Sequence, residues 1–246
     1  MIPQPSPHAS ELSVPQSADL LAAQPLVIVT FGASATEARG VKADFSNLLA
    51  CELSFDGKDI KVINAGIGGN TTRMGKKRLE SDVLAAQPDV VVMMFGINDA
   101  AVDVWETPPA TTSRVSLEEY RENLTAMIQA LKQRGTRVVL MTTNPTYWAA
   151  KTIELYGKPP YKTDEVYGFS FLLSDYAAAA REIARQEGVG LVDNFAAFEA
   201  YDAESGHEPG SLTSDGTHPN NAGHRIIADL LIELFTQSDH RFVHRP

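Results

Sequence analysis

Two runs of this chain, Leu26–Phe31 and Asp89–Phe95, are apolar almost without a break. A strand with one wet face alternates apolar and polar residues. A continuous run is expected where both faces are covered. Three further short runs share the pattern of a strand followed by a helix. The expected strands are Leu26–Phe31, Lys61–Asn64, Asp89–Phe95, Arg137–Thr142 and Gly190–Val192. The intervening helices are expected near Lys42–Leu53, Thr72–Ala86, Leu117–Arg134 and Phe169–Glu187, with a last one near Asn221–Phe235. Such alternation implies right-handed crossovers and a parallel sheet. The fold class expected is therefore α/β, a three-layer α/β/α sandwich. Periodicity does not order its strands.

The organisation expected is a flexible proline-rich lead-in over residues 1–25, one domain over 26–240 and a tail over 241–246. Two stretches break the alternation, Ala101–Ser116 and Thr143–Gly168. Both follow strands, so both should overhang the sheet edge where open α/β folds bind ligands. The second holds Tyr147, Trp148, Tyr156, Tyr161 and Tyr167. Most of these aromatics are expected to pack the insertion down, with one or two facing substrate. Trp105, Tyr147 and Trp148 are the candidates.

A formal charge of −10 argues against nucleic-acid binding, which needs a basic face. The basic cluster Arg73, Lys76, Lys77 and Arg78 is read as a solvated helix face. Cys51 is the only cysteine, which excludes an intrachain disulfide and speaks against a thiolate metal site. Its leucine neighbours suggest a buried thiol. No apolar run is long enough to span a bilayer, so stable membrane insertion is not expected. The compartment is left open between export, which is favoured with a signal absent from this chain, and the cytoplasm. The oligomeric state is not legible.

Four short segments carry potential chemistry. Ser34 follows the first strand in Thr30-Phe31-Gly32-Ala33-Ser34. A serine there is ordinarily a helix cap, yet the same geometry presents a hydroxyl at the sheet edge. Asn64 to Thr72 is glycine-rich. It reads either as a strand-to-helix turn or as a source of a backbone N–H, that of Gly69, for a substrate oxygen. Gly96-Ile97-Asn98-Asp99 offers the Asn98 amide, or simply an Asx-type turn. Asp215-Gly216-Thr217-His218-Pro219 sets an aspartate three residues before a histidine. Asp215 is a turn residue in one reading. In the other it orients the His218 imidazole, leaving the second ring nitrogen for Ser34. Pro219 can start the last helix and fix the loop that carries His218. His207 and His224 are weaker competitors.

Taken together, these segments resemble the SGNH hydrolase superfamily, the GDSL-type esterases and lipases. Gly32-Ala33-Ser34, Asn64 to Thr72 with Gly69, Gly96-Ile97-Asn98-Asp99, and Asp215 to His218 match its four blocks in order. Ala33 stands where the family usually has aspartate. The resemblance implies a flavodoxin-like five-stranded parallel sheet ordered 2-1-3-4-5. It also implies a catalytic set of Ser34, His218 and Asp215, an oxyanion hole from Ser34, Gly69 and Asn98, and no metal or organic cofactor. The expected activity is hydrolysis of short acyl esters, acetyl first, of small molecules or carbohydrates. An acyltransferase, lysophospholipase or thioesterase using the same site, or a non-catalytic binding module on this fold, are the alternatives.

Overall fold

The computed structural model describes residues 25–38 and 40–245; the expected lead-in lies outside them except for Pro25. Among the described residues the strands are β1 (Val27–Gly32), β2 (Leu53–Phe55), β3 (Lys58–Asp59), β4 (Lys61–Gly66), β5 (Val90–Met94), β6 (Arg137–Met141), β7 (Gly190–Val192) and β8 (Phe242–His244). The helices are α1 (Ser34–Glu37), α2 (Phe45–Glu52), α3 (Thr72–Asp82), α4 (Ile97–Ala100), α5 (Leu117–Gln133), α6 (Ala150–Tyr156), α7 (Leu173–Glu187), α8 (Asn194–Asp202) and α9 (Asn221–Ser238).

Five strands form one parallel sheet in the order β4-β1-β5-β6-β7. Counting only these strands along the chain, that order is 2-1-3-4-5. The two apolar runs occupy its centre. Within β1, Val29 and Phe31 enter one core cluster and Ile28 the other; within β5, Val91 and Met93 enter the first and Val90, Val92 and Met94 the second. The first cluster gathers residues of α3, α5 and α7, the second residues of α2 and α9. The continuous apolar runs thus have their cause: period-2 alternation sends neighbouring side chains to two different cores.

The helices start and stop for local reasons. Asp44 caps α2 by accepting from the N–H groups of Ser46 and Asn47 at 3.0 and 3.1 Å, and Ser116 caps α5 through Glu119 N–H. Gly188, in the left-handed conformation, closes α7. That helix begins at Leu173, four residues later than expected, because 169–172 are taken up by turns of the insertion.

Two expectations need correction. Residues 241–246 are not a tail throughout, since β8 pairs antiparallel with β2, which also pairs with β3, in a small second sheet. Phe242 anchors it, buried against Phe235 of α9 and Phe55. Cys51 is exposed. Leu49 is fully buried on α2, and a residue two positions further along lies about 200° around the helix from it. Burying Leu49 therefore turns Cys51 outward.

Candidate active site

The parallel strands deliver three loops to one edge. β1 ends at Gly32, and Ser34 is the first residue of α1. First-turn N–H groups of a helix have no intrahelical partner, and the Ser34 N–H is one of them. Ala33 occupies the cap position and makes no side-chain cap hydrogen bond. The short helix is held from its other end. Asn64 Nδ2 donates to Thr36 O at 2.6 Å, while Asn64 Oδ1 accepts from Gly66 N at 2.9 Å. Gly66 lies so close that a Cβ there would sit 2.6 Å from the Thr36 carbonyl carbon.

His218 arrives from the loop before α9. Its Nε2 lies 2.9 Å from Ser34 Oγ and its Nδ1 lies 2.7 Å from Asp215 Oδ2. The other oxygen of Asp215 accepts from the N–H groups of Thr217 and His218 at 3.0 and 2.8 Å. Asp215 therefore turns the chain and orients the ring at once; the two sequence readings of this residue coexist. Partial burial pushes its pKa up, but the His218 and Thr217 hydrogen bonds outweigh that and hold it below the usual carboxylate range. With the carboxylate facing Nδ1, the proton belongs on Nδ1 and Nε2 is left to accept from Ser34. Pro219 does not start α9. Asn220 caps it by accepting from Ala222 and Gly223 N–H, and Pro219 bridges to Thr213.

The donors named from sequence converge on the same edge. Gly68 N–H is taken by Glu37 Oε2 at 2.9 Å and Asn70 N–H by Ile67 O at 3.2 Å. Gly69, at φ +77°, falls between them, and its N–H enters no hydrogen bond among the described residues. A positive φ is what glycine tolerates at little steric cost. Asn98, on α4, donates from Nδ2 to Asn70 O at 3.0 Å and so ties the two donor loops together. Asp99 reinforces the tie from beneath. It is fully buried, and its Oδ1 accepts from Thr72 N at 2.8 Å and Thr72 Oγ1 at 2.5 Å. Burial raises its pKa to about 6 against the lowering effect of the Thr72 bonds.

Arg78 departs from the expected solvated face. Its guanidinium donates to Gly32 O, Ala65 O and Asn70 Oδ1, each at 2.8 Å, and lies over the Phe31 ring. It fastens the ends of β1 and β4 to the glycine loop. Arg73 pairs with Glu119 and Lys76 reaches Asn123, nearer to the solvated role.

The aromatic candidates separate. Tyr147 is buried and donates to Asp202 at 2.6 Å, which excludes its hydroxyl from substrate. Trp148 stacks on Phe169 and donates to Lys162 O. Trp105 stays 47% exposed, with its indole N–H facing Asp103 and the Tyr156 hydroxyl at 3.2 and 3.3 Å. His207 stacks on Tyr201, and His224 is buried against Phe45. Sequence reading missed Arg114, took Arg78 for a solvated residue and gave Asp99 no role. Asp99 alone carried a signal, its place directly after Asn98. Among the described residues no group of three or more His, Cys, Asp or Glu is arranged to hold a metal ion, and no helix is long and apolar enough to cross a membrane.

A parallel α/β sheet with a serine, an imidazole and N–H donors gathered at its carboxyl edge is the architecture of a carboxylic ester hydrolase. The chain belongs to the GDSL-like Lipase/Acylhydrolase family, whose model matches residues 16–226. It is 34% identical over 172 residues to the acetylxylan esterase of Geobacillus stearothermophilus, covering 69% of each chain. It is 30% identical over 177 residues to the uncharacterized lipoprotein YqeF of Bacillus subtilis (strain 168), covering 69% of this chain and 71% of that one. The crystal structure of Axe2, an acetylxylan esterase from Geobacillus stearothermophilus, aligns with TM-score 0.64 and 26% identity over 85% of this chain and 93% of that one.

Proposed function

We propose that this esterase cleaves short-chain acyl esters, acetyl first, of carbohydrates or similar polar alcohols, with Ser34 as nucleophile, His218 as base and Asp215 as its orienter. One observation carries the reading: the unbroken hydrogen-bond chain Ser34 Oγ to His218 Nε2 at 2.9 Å and His218 Nδ1 to Asp215 Oδ2 at 2.7 Å. Ser34 Oγ attacks the ester carbonyl as its proton passes to His218 Nε2. The carbonyl oxygen, now an anion, accepts from Ser34 N–H, Gly69 N–H and Asn98 Nδ2. His218 returns the proton to the departing alcohol, leaving an acyl group on Ser34. A water then attacks that acyl carbon, gives its proton to His218, and frees the carboxylate as Ser34 regains a proton. Positioned proton transfer of this kind contributes about 10²–10⁴-fold.

Acetate is favoured because two relatives of this chain are named acetylxylan esterases. A sugar alcohol is favoured by the exposed ring of Trp105, since aromatic faces suit flat sugar surfaces. One observation speaks for longer acyl chains. A cavity of about 230 Å³ has Asn98 and Asp215 in its wall and apolar side chains, Ile97, Leu155, Phe169 and Leu172 among them, over the rest. The test is p-nitrophenol release from p-nitrophenyl acetate, butyrate and octanoate by wild type and Ser34→Ala. The expected result is near-complete loss with Ser34→Ala and a steep fall of kcat/KM from acetate to octanoate. Equal rates with Ser34→Ala would remove Ser34 from the mechanism. A rise toward octanoate would replace acetate by the longer-chain reading.

A further inference from the structure

We infer that Arg114 is a positioning residue that locks the Asn98 amide with its N–H groups toward the reacting carbonyl. The inference rests on the reading of Asn98 as an oxyanion donor. Arg114 Nη1 lies 3.3 Å from Asn98 Oδ1. A guanidinium has only donors, so the group it faces must be the amide oxygen. On the other side Asn98 Nδ2 faces the carbonyl of Asn70 at 3.0 Å, and a carbonyl only accepts. The two contacts therefore enforce one orientation from opposite ends. Of the two Nδ2 hydrogens, one goes to Asn70, and the other keeps a fixed direction for a substrate oxygen.

Arg114 is itself held still. Its Nε and Nη2 form a fork on Asp103, at 2.8 Å to Oδ2 and 2.6 Å to Oδ1, and the Asp103 side chain is only 12% exposed. Tyr156 hydroxyl and Trp105 Nε1 also face Asp103 Oδ1, at 3.4 and 3.2 Å. The backbone closes the same loop, with Arg114 N–H donating to Ala101 O at 2.9 Å. A planar fork fixed in this way holds Nη1 in one place, against Asn98, which lysine cannot reproduce. The first insertion, between α4 and α5, thereby becomes part of the catalytic edge: its aspartate sets the arginine and its arginine sets the amide. A positive group on the amide oxygen also polarises the N–H bonds and strengthens them as donors.

A double-mutant cycle tests this, with kcat and KM for p-nitrophenyl acetate measured on wild type, Asn98→Ala, Arg114→Met and the double variant. Arg114→Met is expected to lower kcat about tenfold, a fraction of the roughly 10²–10³ that removal of a whole oxyanion donor costs, with KM within about twofold. In the Asn98→Ala background the same change should lower kcat by less than about twofold, because residues acting as a unit are not additive. Multiplicative losses in the double variant, or an unchanged kcat in Arg114→Met, would overturn the inference. If Asn98→Ala alone leaves kcat intact, the oxyanion reading has failed and the inference falls with it. Should Arg114→Met not fold, Arg114→Lys replaces it. That variant keeps a cation beside Asp103 without the second arm, and it should show the kcat loss at an unchanged unfolding midpoint. Wild-type kcat in a folded Arg114→Lys overturns the inference equally.

Discussion

Replacing Asp99 by asparagine should uncover an acid lability that the native protein conceals. Two buried groups titrate in opposite senses over the same range. Burial raises the Asp99 pKa to about 6 from an ordinary 3.8, and burial lowers that of His224 to about 4 from an ordinary 6.5. For Asp99 the folded value lies above the unfolded one. Its contribution to stability is complete below the unfolded pKa and is lost as pH rises through about 6. For His224 the order is reversed. Its contribution is present above 6.5 and is lost as pH falls toward about 4. Taking each pH unit as about 1.4 kcal/mol per proton, acidification from about pH 7 to about pH 4.5 gains ~2 kcal/mol through Asp99 and forfeits ~2 kcal/mol through His224. The two nearly cancel. Asp99→Asn leaves only the loss. Its Nδ2 falls where Oδ2 now lies buried without a partner, a penalty of about 1–3 kcal/mol that is independent of pH and cancels in the comparison. Urea unfolding of both proteins across this range, followed by midpoint and slope, measures the difference. Asp99→Asn should lose ~2 kcal/mol more than wild type on acidification, and His224→Asn about as much less. Parallel curves for wild type and Asp99→Asn would refute the reasoning.

Asp215→Asn keeps an oxygen for the Thr217 and His218 N–H groups but no longer fixes the ring tautomer; kcat should fall by about 10⁴ while the unfolding midpoint stays near that of wild type. Gly66→Ala forces a methyl against the backbone of α1. A loss of about 1–3 kcal/mol is expected, with a fall in kcat as Ser34 shifts; unchanged stability by calorimetry would contradict the close approach.

Much of the fold was legible because burial of both sheet faces writes itself into local composition. Val90 to Met94 could be read as a central strand from one short window, since every residue there has an apolar neighbour above or below it. The four segments that could carry chemistry were legible for a related reason: turns at strand ends demand particular residue types, as at Gly69 and Gly96. Partnerships across long sequence separations were legible only where the family resemblance joined the segments, as for Ser34 and His218; the others were not. Arg78 looked solvated because its acceptors, Gly32 O and Ala65 O, are backbone atoms of strand ends. β8 looked like a tail because an edge strand of three residues has no periodicity to detect. Tyr147 and Trp105 are both aromatic residues of edge loops, and only packing made one a buried donor to Asp202 and left the other exposed.

The chain by itself determined its layers, since a hydrophobic period is a local property that survives in any segment long enough to count. Tertiary structure alone decided that residues 34 and 218, separated by 184 positions, stand 2.9 Å apart, and that an arginine from a loop without secondary structure faces the amide of Asn98. Hydrogen bonds of that kind depend on distance and direction in space, which no spacing along the chain encodes until the sheet has brought the loops to one edge.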